Sequence, residues 1–238
     1  MIKVNNLSLK FDDKIFFDNI SFSIPQNKIT MIIGANGTGK TTLMQVLTKN
    51  LKPENIEIKN DFKNIFYLPQ KISYPKGISA FEYASSIFYK KTFKWYLTKE
   101  EKNKIYNAFE TLEIEDKSNI SIDKLSAGEL QKFNISIGLI SNADLFLLDE
   151  PLSNIDLVNQ IKVLEITKKI KNDVTCAMIT HDLNLSSRYG DYFIGIRKNH
   201  TIIEGEKSEF FKENILKEIF EVNFKIINNE GNFYVQTF

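Results

Sequence analysis

The sequence predicts an α/β fold: a mostly parallel sheet, an antiparallel β subdomain at the N-terminus and an inserted α-helical subdomain. Three observations point to it. Residues 29–33 form a continuous apolar run that leads into a glycine-rich segment and then into a helical pattern. Two further apolar runs, 145–148 and 174–179, are separated by a helical period over 157–170. Between these halves, residues 76–139 hold no strong strand pattern after Ile78, and 97–112 is charged and helical in period. Strands that alternate with helices favour parallel pairing, because each crossover helix packs back onto the sheet.

Each element has a local reason. Residues 2–11 alternate through Ile2, Val4, Leu7, Leu9 and Phe11, and residues 20–24 alternate more cleanly. Both read as half-buried strands, with Asp12 and Asp13 as turn material between them. The run 29–33 has no polar face, as expected of a strand covered on both sides. Residues 42–49 then read as a helix, and a further short strand ends at Gln70 in Tyr67-Leu68-Pro69-Gln70. The tail differs in style from about Glu206. Phe210, Phe211, Ile215, Leu216, Ile219 and Phe220 make one amphipathic helix stripe. Segments 224–227 and 233–236 flank Asn228-Asn229-Glu230-Gly231, a hairpin turn.

Composition bounds the function. A chain of 238 residues, 42% apolar, can bury a sizeable core without staples. The net charge of +1, from 31 basic and 30 acidic residues, gives no bulk field for nucleic acid, so no nucleic-acid partner is expected. The single cysteine, Cys176, forms no intrachain disulfide and is expected as a buried core thiol. No uninterrupted apolar segment follows Met1, and no stretch approaches the roughly 18 apolar residues of a membrane span. The expectation is a cytoplasmic protein, peripheral if it works at a membrane.

Chemistry concentrates in four places. Residues 34–41 fit G-x-x-x-x-G-K-[ST], the phosphate-binding loop that defines a P-loop NTPase core. Its glycines let backbone N–H groups converge on phosphate oxygens, and the following helix offers its positive end. Asn36, Gly37, Thr38, Gly39, Lys40, Thr41 and Thr42 are the expected nucleotide contacts. Lys40 would reach the β- and γ-phosphates of ATP, and the Thr41 hydroxyl would ligate Mg²⁺. Asp149 and Glu150 end the run 145–148, where the carboxyl edge of a parallel sheet faces its ligand. Asp149 is the expected Mg²⁺ group and Glu150 the general base or water-positioning group. Ser126 and Glu129 form S-x-x-E, an ordinary capping box. A serine cap with Gly128 at a helix start is also a γ-phosphate site, and the two readings are compatible. His181, after the strand 174–179, reads as a phosphate contact. His200, in a polar turn, reads as structural.

Taken in order, these segments resemble the ATP-binding subunit of ABC transporters over nearly the whole chain. Residues 34–42 resemble the Walker A loop, Gln70 the Q-loop glutamine, 125–131 the LSGGQ signature and 145–150 the Walker B strand. Ser153-Asn154-Ile155-Asp156 resembles the D-loop, and His181 the switch histidine. The resemblance implies an ATPase with Phe11 stacked on adenine and Gln70 in the catalytic set beside Mg²⁺. It implies a head-to-tail dimer in which Ser126 and Gly128 of one copy complete the other's site, and Asp156 reports across the interface. It further implies a transmembrane permease as partner, with Gln70 linking the site to it, and indirectly a substrate-binding protein. The domain would comprise an ATP-binding core (1–75 and 140–205), a helical signature subdomain (76–139) and a C-terminal extension (206–238).

Ala127 and Glu129 depart from the signature's second glycine and glutamine, and Asn154-Ile155 stands where Ala-Leu is usual; the departures bear on turnover rate. Asp156-Leu157-Val158-Asn159-Gln160, His181-Asp182-Leu183-Asn184-Leu185 and the tail are similar to importers of ferric siderophores, haem and cobalamin. Against that subtype, Ser73-Tyr74-Pro75-Lys76-Gly77 replaces its Gly-Arg-x-Pro stretch. The alternatives are another importer or an exporter ATPase, or a non-transport relative such as an iron–sulfur assembly ATPase. The aromatics Phe81, Tyr83, Phe88, Tyr89, Phe93, Trp95 and Tyr96 are expected mostly as subdomain core, with a minority exposed as a socket for the permease.

Overall fold

A computed structural model describes residues 1–12, 14–92 and 96–238. Asp13, Phe93 and Trp95 lie outside the described residues. The chain opens with β1 (Ile2–Phe11), β2 (Lys14–Ile24), β3 (Ile29–Gly34) and α1 (Lys40–Leu47), then β4 (Asn55–Asn60) and β5 (Ile65–Leu68). Three helices follow: α2 (Ala80–Thr92), α3 (Lys99–Thr111) and α4 (Ala127–Ile140). The chain returns as β6 (Leu145–Leu148), α5 (Leu157–Ile170), β7 (Thr175–Ile179), α6 (Leu183–Tyr189), β8 (Tyr192–Ile196) and β9 (Ile202–Glu206). The tail is α7 (Lys207–Phe210), α8 (Glu213–Phe220) and the hairpin β10 (Phe224–Asn229) and β11 (Asn232–Thr237).

The central sheet has six strands in the order β5-β6-β7-β3-β8-β9, all parallel except β9. A separate antiparallel sheet, β2-β1-β4, lies at the N-terminus. The apolar runs of β3, β6 and β7 are explained by cover on both faces. Ile29, Met31, Ile33, Phe146, Leu148, Cys176 and Met178 share one core with residues of α2 to α6 and the tail. Ile32, Leu145, Leu147, Ala177 and Ile179 share another with α1 and the antiparallel sheet. Successive side chains of a strand point to opposite faces, so every strand residue finds apolar cover. Cys176 is buried, as expected. Within the helical segment, Ile105, Ala108, Phe109 and Leu112 recur at helical spacing and meet Phe133 of α4 in the core.

Several boundaries differ from the sequence reading. β2 begins at Lys14 rather than residue 20, because three register shifts against β1 break the alternation that would reveal it. β4 carries only a short alternation, Ile56 and Ile58, and pairs along the edge of β1 with most residues exposed. α1 starts at Lys40, two residues before the expected 42, directly from the glycine loop. The expected single tail helix is two helices, α7 and α8. Neighbouring residues on one helix point about 100° apart, yet Phe210 and Phe211 are both almost fully buried against Phe193. The break between α7 and α8 begins at Phe211, which is no longer in helical conformation.

Of the described aromatics, Phe81, Tyr83 and Phe88 pack on the core, whereas Tyr89 and Tyr96 are exposed. No described helix is long and apolar enough to cross a membrane.

Candidate active site

The carboxyl ends of β5, β6, β7 and β3 lie side by side, which is where a parallel sheet binds ligands. The segments that follow them carry Gln70, Asp149 with Glu150, His181, and the loop 34–42. Strand order thus gathers groups scattered over more than a hundred residues.

The loop is shaped by its glycines. Gly39 has φ 103°, and a Cβ there would stand 2.6 Å from the Phe16 ring, so only glycine fits. Lys40 is 6% exposed, and its Nζ donates to the carbonyls of Gly34 and Ala35, both at 2.9 Å. Burial lowers the Lys40 pKa below the ordinary lysine value, opposed by the charges of Glu150 and Asp149. Asn36 and Gly37 are exposed at the loop tip, and Thr38 is buried beneath it. Thr41 and Thr42 lie in the first turn of α1.

Asp149 is 2% exposed. Its Oδ1 accepts from the Thr41 hydroxyl at 3.2 Å and its Oδ2 from the Tyr67 hydroxyl at 3.4 Å. Burial raises the Asp149 pKa above the ordinary carboxylate value, with Thr41 opposing and the Glu150 charge adding. Burial, helped by the Asp149 charge, pushes Tyr67 up to about 12, so the phenol stays a neutral donor. A hydroxyl beside a desolvated carboxylate is a hard oxygen donor pair that fits Mg²⁺. Among the described residues, no group of three or more His, Cys, Asp or Glu converges. A bound Mg²⁺ would therefore complete its shell with phosphate oxygens and water, as this ion prefers.

Glu150 has φ 50°, an uncommon conformation for a non-glycine residue. Its carboxylate is bracketed: Gln70 Nε2 donates to Oε2 at 2.7 Å, and His181 Nε2 lies 2.9 Å from Oε1. Gln70 thus bonds Glu150, while Thr41 is the side chain bonded to Asp149 Oδ1.

Ser126 and Gly128 lie at the start of α4. Ser126 caps α4 in the expected box, accepting from Glu129 N while both its own N and Oγ donate to Glu129 Oε2. Glu129 Oε1 pairs with Lys117 at 3.1 Å. Gly128 is buried under Asn159, whose side chain would meet a Cβ there at 2.6 Å. Asn159 Nδ2 in turn donates to Asp156, the N-cap of α5. Phe11 is 42% exposed and meets Phe16 edge-on, at 5.3 Å between ring centroids. Phe16, Tyr67 and Asn159 were not legible as site neighbours, because each arrives through a pairing distant in sequence. His200, read as structural, sits against the loop, with Nδ1 3.1 Å from the Thr38 carbonyl oxygen.

A glycine loop between a buried strand and a helix, with a lysine inside it and a strand-end carboxylate pair beside it, defines a P-loop nucleotide hydrolase. Residues 17–153 match the family described as ABC transporter, and the chain belongs to that family. It is an ATP-binding protein and an ATPase, the ATP-hydrolysing subunit type of such transporters. It is 30% identical to an uncharacterized ABC transporter ATP-binding protein of Methanocaldococcus jannaschii, over 97% of this chain and 95% of that one. It is 28% identical to the petrobactin import ATP-binding protein YclP of Bacillus subtilis, over 95% of each chain. In fold it matches a metal-chelate type ABC transporter solved in an inward-facing conformation, with TM-score 0.87 and 23% identity over 100% of this chain and 96% of that one.

Proposed function

We propose that the protein powers import of a metal chelate of the ferric siderophore, haem or cobalamin type. It would act as a peripheral subunit at the cytoplasmic face of the membrane, with transmembrane permease subunits and, indirectly, a substrate-binding protein. Segments 1–75 and 140–205 form the ATP-binding core, 76–139 the signature subdomain and 206–238 a C-terminal extension. The observation that carries the catalytic reading is Glu150 held between Gln70 and His181 beside Lys40, Thr41 and Asp149.

In this reading, Asn36, Gly37, Thr38, Gly39 and Thr42 cradle the phosphates, Lys40 binds the β- and γ-oxygens, and Phe11 stacks on adenine. Thr41 and Asp149, with Gln70 nearby, would hold Mg²⁺, which would offset charge on the phosphates. Glu150 takes a proton from the attacking water as its oxygen bonds the γ-phosphorus. The bond to the bridging oxygen breaks, leaving ADP and inorganic phosphate. His181 stays on Glu150 and the γ-phosphate through this step. Ser126 and Gly128 bind the γ-phosphate held by a second, head-to-tail copy, and Asp156 touches the same interface. Support for sharing comes from Ser126, which makes no hydrogen bond to the Lys40 cluster among the described residues. Its side chain is engaged with Glu129 alone among the described residues.

Complementation tests the shared site. Lys40→Ala and Ser126→Ala are each expected to be inactive, and mixing them restores one intact site per heterodimer and measurable ATPase activity. No recovery on mixing would reject the shared site. For the substrate, deletion of the protein should abolish cellular uptake of a radiolabelled ferric chelate and spare uptake of free zinc. The reverse pattern would reject chelate import. Support for the chelate class is the likeness to YclP, whose name states petrobactin import.

A further inference from the structure

His200 links the β8–β9 turn to the phosphate loop. It lies in the turn between β8 and β9 with φ 62°. Histidine is among the residue types that adopt this left-handed conformation more readily. The side chain leaves the turn and reaches the phosphate loop, where Nδ1 lies 3.1 Å from the Thr38 carbonyl oxygen. A carbonyl only accepts, so Nδ1 carries the proton. The imidazole lies over Phe16 with centroids 4.3 Å apart and planes 35° apart. The same Phe16 ring fills the space a Gly39 side chain would need. His200 and Phe16 therefore press on the Thr38–Gly39 peptide from outside the loop.

A trans peptide is planar, and its C=O and N–H point in opposite directions. With the Thr38 carbonyl directed at His200, the Gly39 N–H is aimed away from His200. We propose that His200 is a positioning residue for ATP: its Nδ1–H fixes the Thr38–Gly39 peptide so that the Gly39 N–H meets the phosphates. The inference rests on the reading that residues 34–42 hold the phosphates of ATP.

The test uses His200→Gly and His200→Asn, both of which tolerate φ near 60° and so keep the turn. Binding of MgATP and of magnesium tripolyphosphate is measured by titration calorimetry, with Tm measured alongside. The expected result is a loss of about tenfold in affinity for both ligands, the scale of one lost hydrogen bond in a preorganised site. Tm should change little, because both substitutes keep the turn. Unchanged affinity for MgATP in both variants overturns the proposal. A loss for MgATP with tripolyphosphate unaffected also overturns it, since His200 would then act on the base. A fall in Tm large enough to account for the lost binding in both variants overturns it as well. Lys40→Ala serves as the control. If it binds MgATP normally, the phosphate-loop reading fails; if it loses binding while the His200 variants do not, only the His200 proposal fails.

Discussion

Glu150 and His181 meet side chain to side chain, 2.9 Å from Oε1 to Nε2, although 31 residues separate them. Adjacent parallel strands end at these two positions, so the contact follows from the pairing of β6 with β7. With Gln70 on the other oxygen, both carboxylate oxygens are engaged.

Glu150→Gln removes the proton acceptor but leaves an amide of the same shape for both partners. Steady-state ATPase activity should fall by about 10²–10⁴, the range for a lost general base. ATP binding should persist, and size-exclusion chromatography with MgATP should show a dimer. Near-normal turnover in this variant would remove Glu150 from the chemistry.

Asp149→Asn separates function from stability. Burial raises the pKa of this carboxyl in the folded chain, so folding favours the protonated form. Its favourable contribution is fully present below the unfolded pKa and is lost as pH rises through the folded pKa. In metal-free buffer at pH 7, Asp149→Asn should therefore raise Tm by roughly 2–4 °C, about 1 kcal/mol in a domain of this size. The gain over wild type should shrink toward zero as pH falls below the ordinary aspartate value. Magnesium-dependent hydrolysis should be lost. A Tm gain independent of pH would show that the carboxylate is not the source.

Glu129→Gln addresses the altered signature. Glu129 carries a negative charge at the start of α4, where the proposed γ-phosphate of the second copy would sit. Lys117 offsets part of it. A glutamine keeps an acceptor for the Ser126 bonds and removes the charge. The ATPase rate should rise several-fold with Tm nearly unchanged, as read by phosphate release and differential scanning fluorimetry. A fall in rate would mean that the carboxylate helps turnover.

Cys176 reports on the core. It is buried in β7, and burial pushes its thiol well above the ordinary value. At pH 8 a thiol reagent should react only as fast as the protein opens. Labelling should accelerate in step with urea denaturation followed by circular dichroism. Rapid labelling of the native protein would place the thiol at the surface.

Legibility in the sequence tracked how local each feature is. The helix over 157–170 was legible because its period lies within one segment. The capping box of Ser126 and Glu129 was read for the same reason. β4 has only two alternating apolar residues, Ile56 and Ile58, too short a pattern to mark a strand apart from its pairing with β1. Phe210 and Phe211 suggested one helix stripe, but both are claimed by the same buried ring, Phe193, and that contact breaks the helix.

The sequence by itself determined the phosphate loop, the carboxylate pair at 149–150 and the parallel-sheet class, because each is written in contiguous residues and short-range periodicity. Only the tertiary structure decided which side chains touch Glu150, that Tyr67 donates to Asp149, and that His200 reaches Thr38 across 162 residues. The physical reason is strand order: pairing β5, β6, β7, β3 and β8 as neighbours is a cooperative outcome of burying both sheet faces, and no local pattern encodes it.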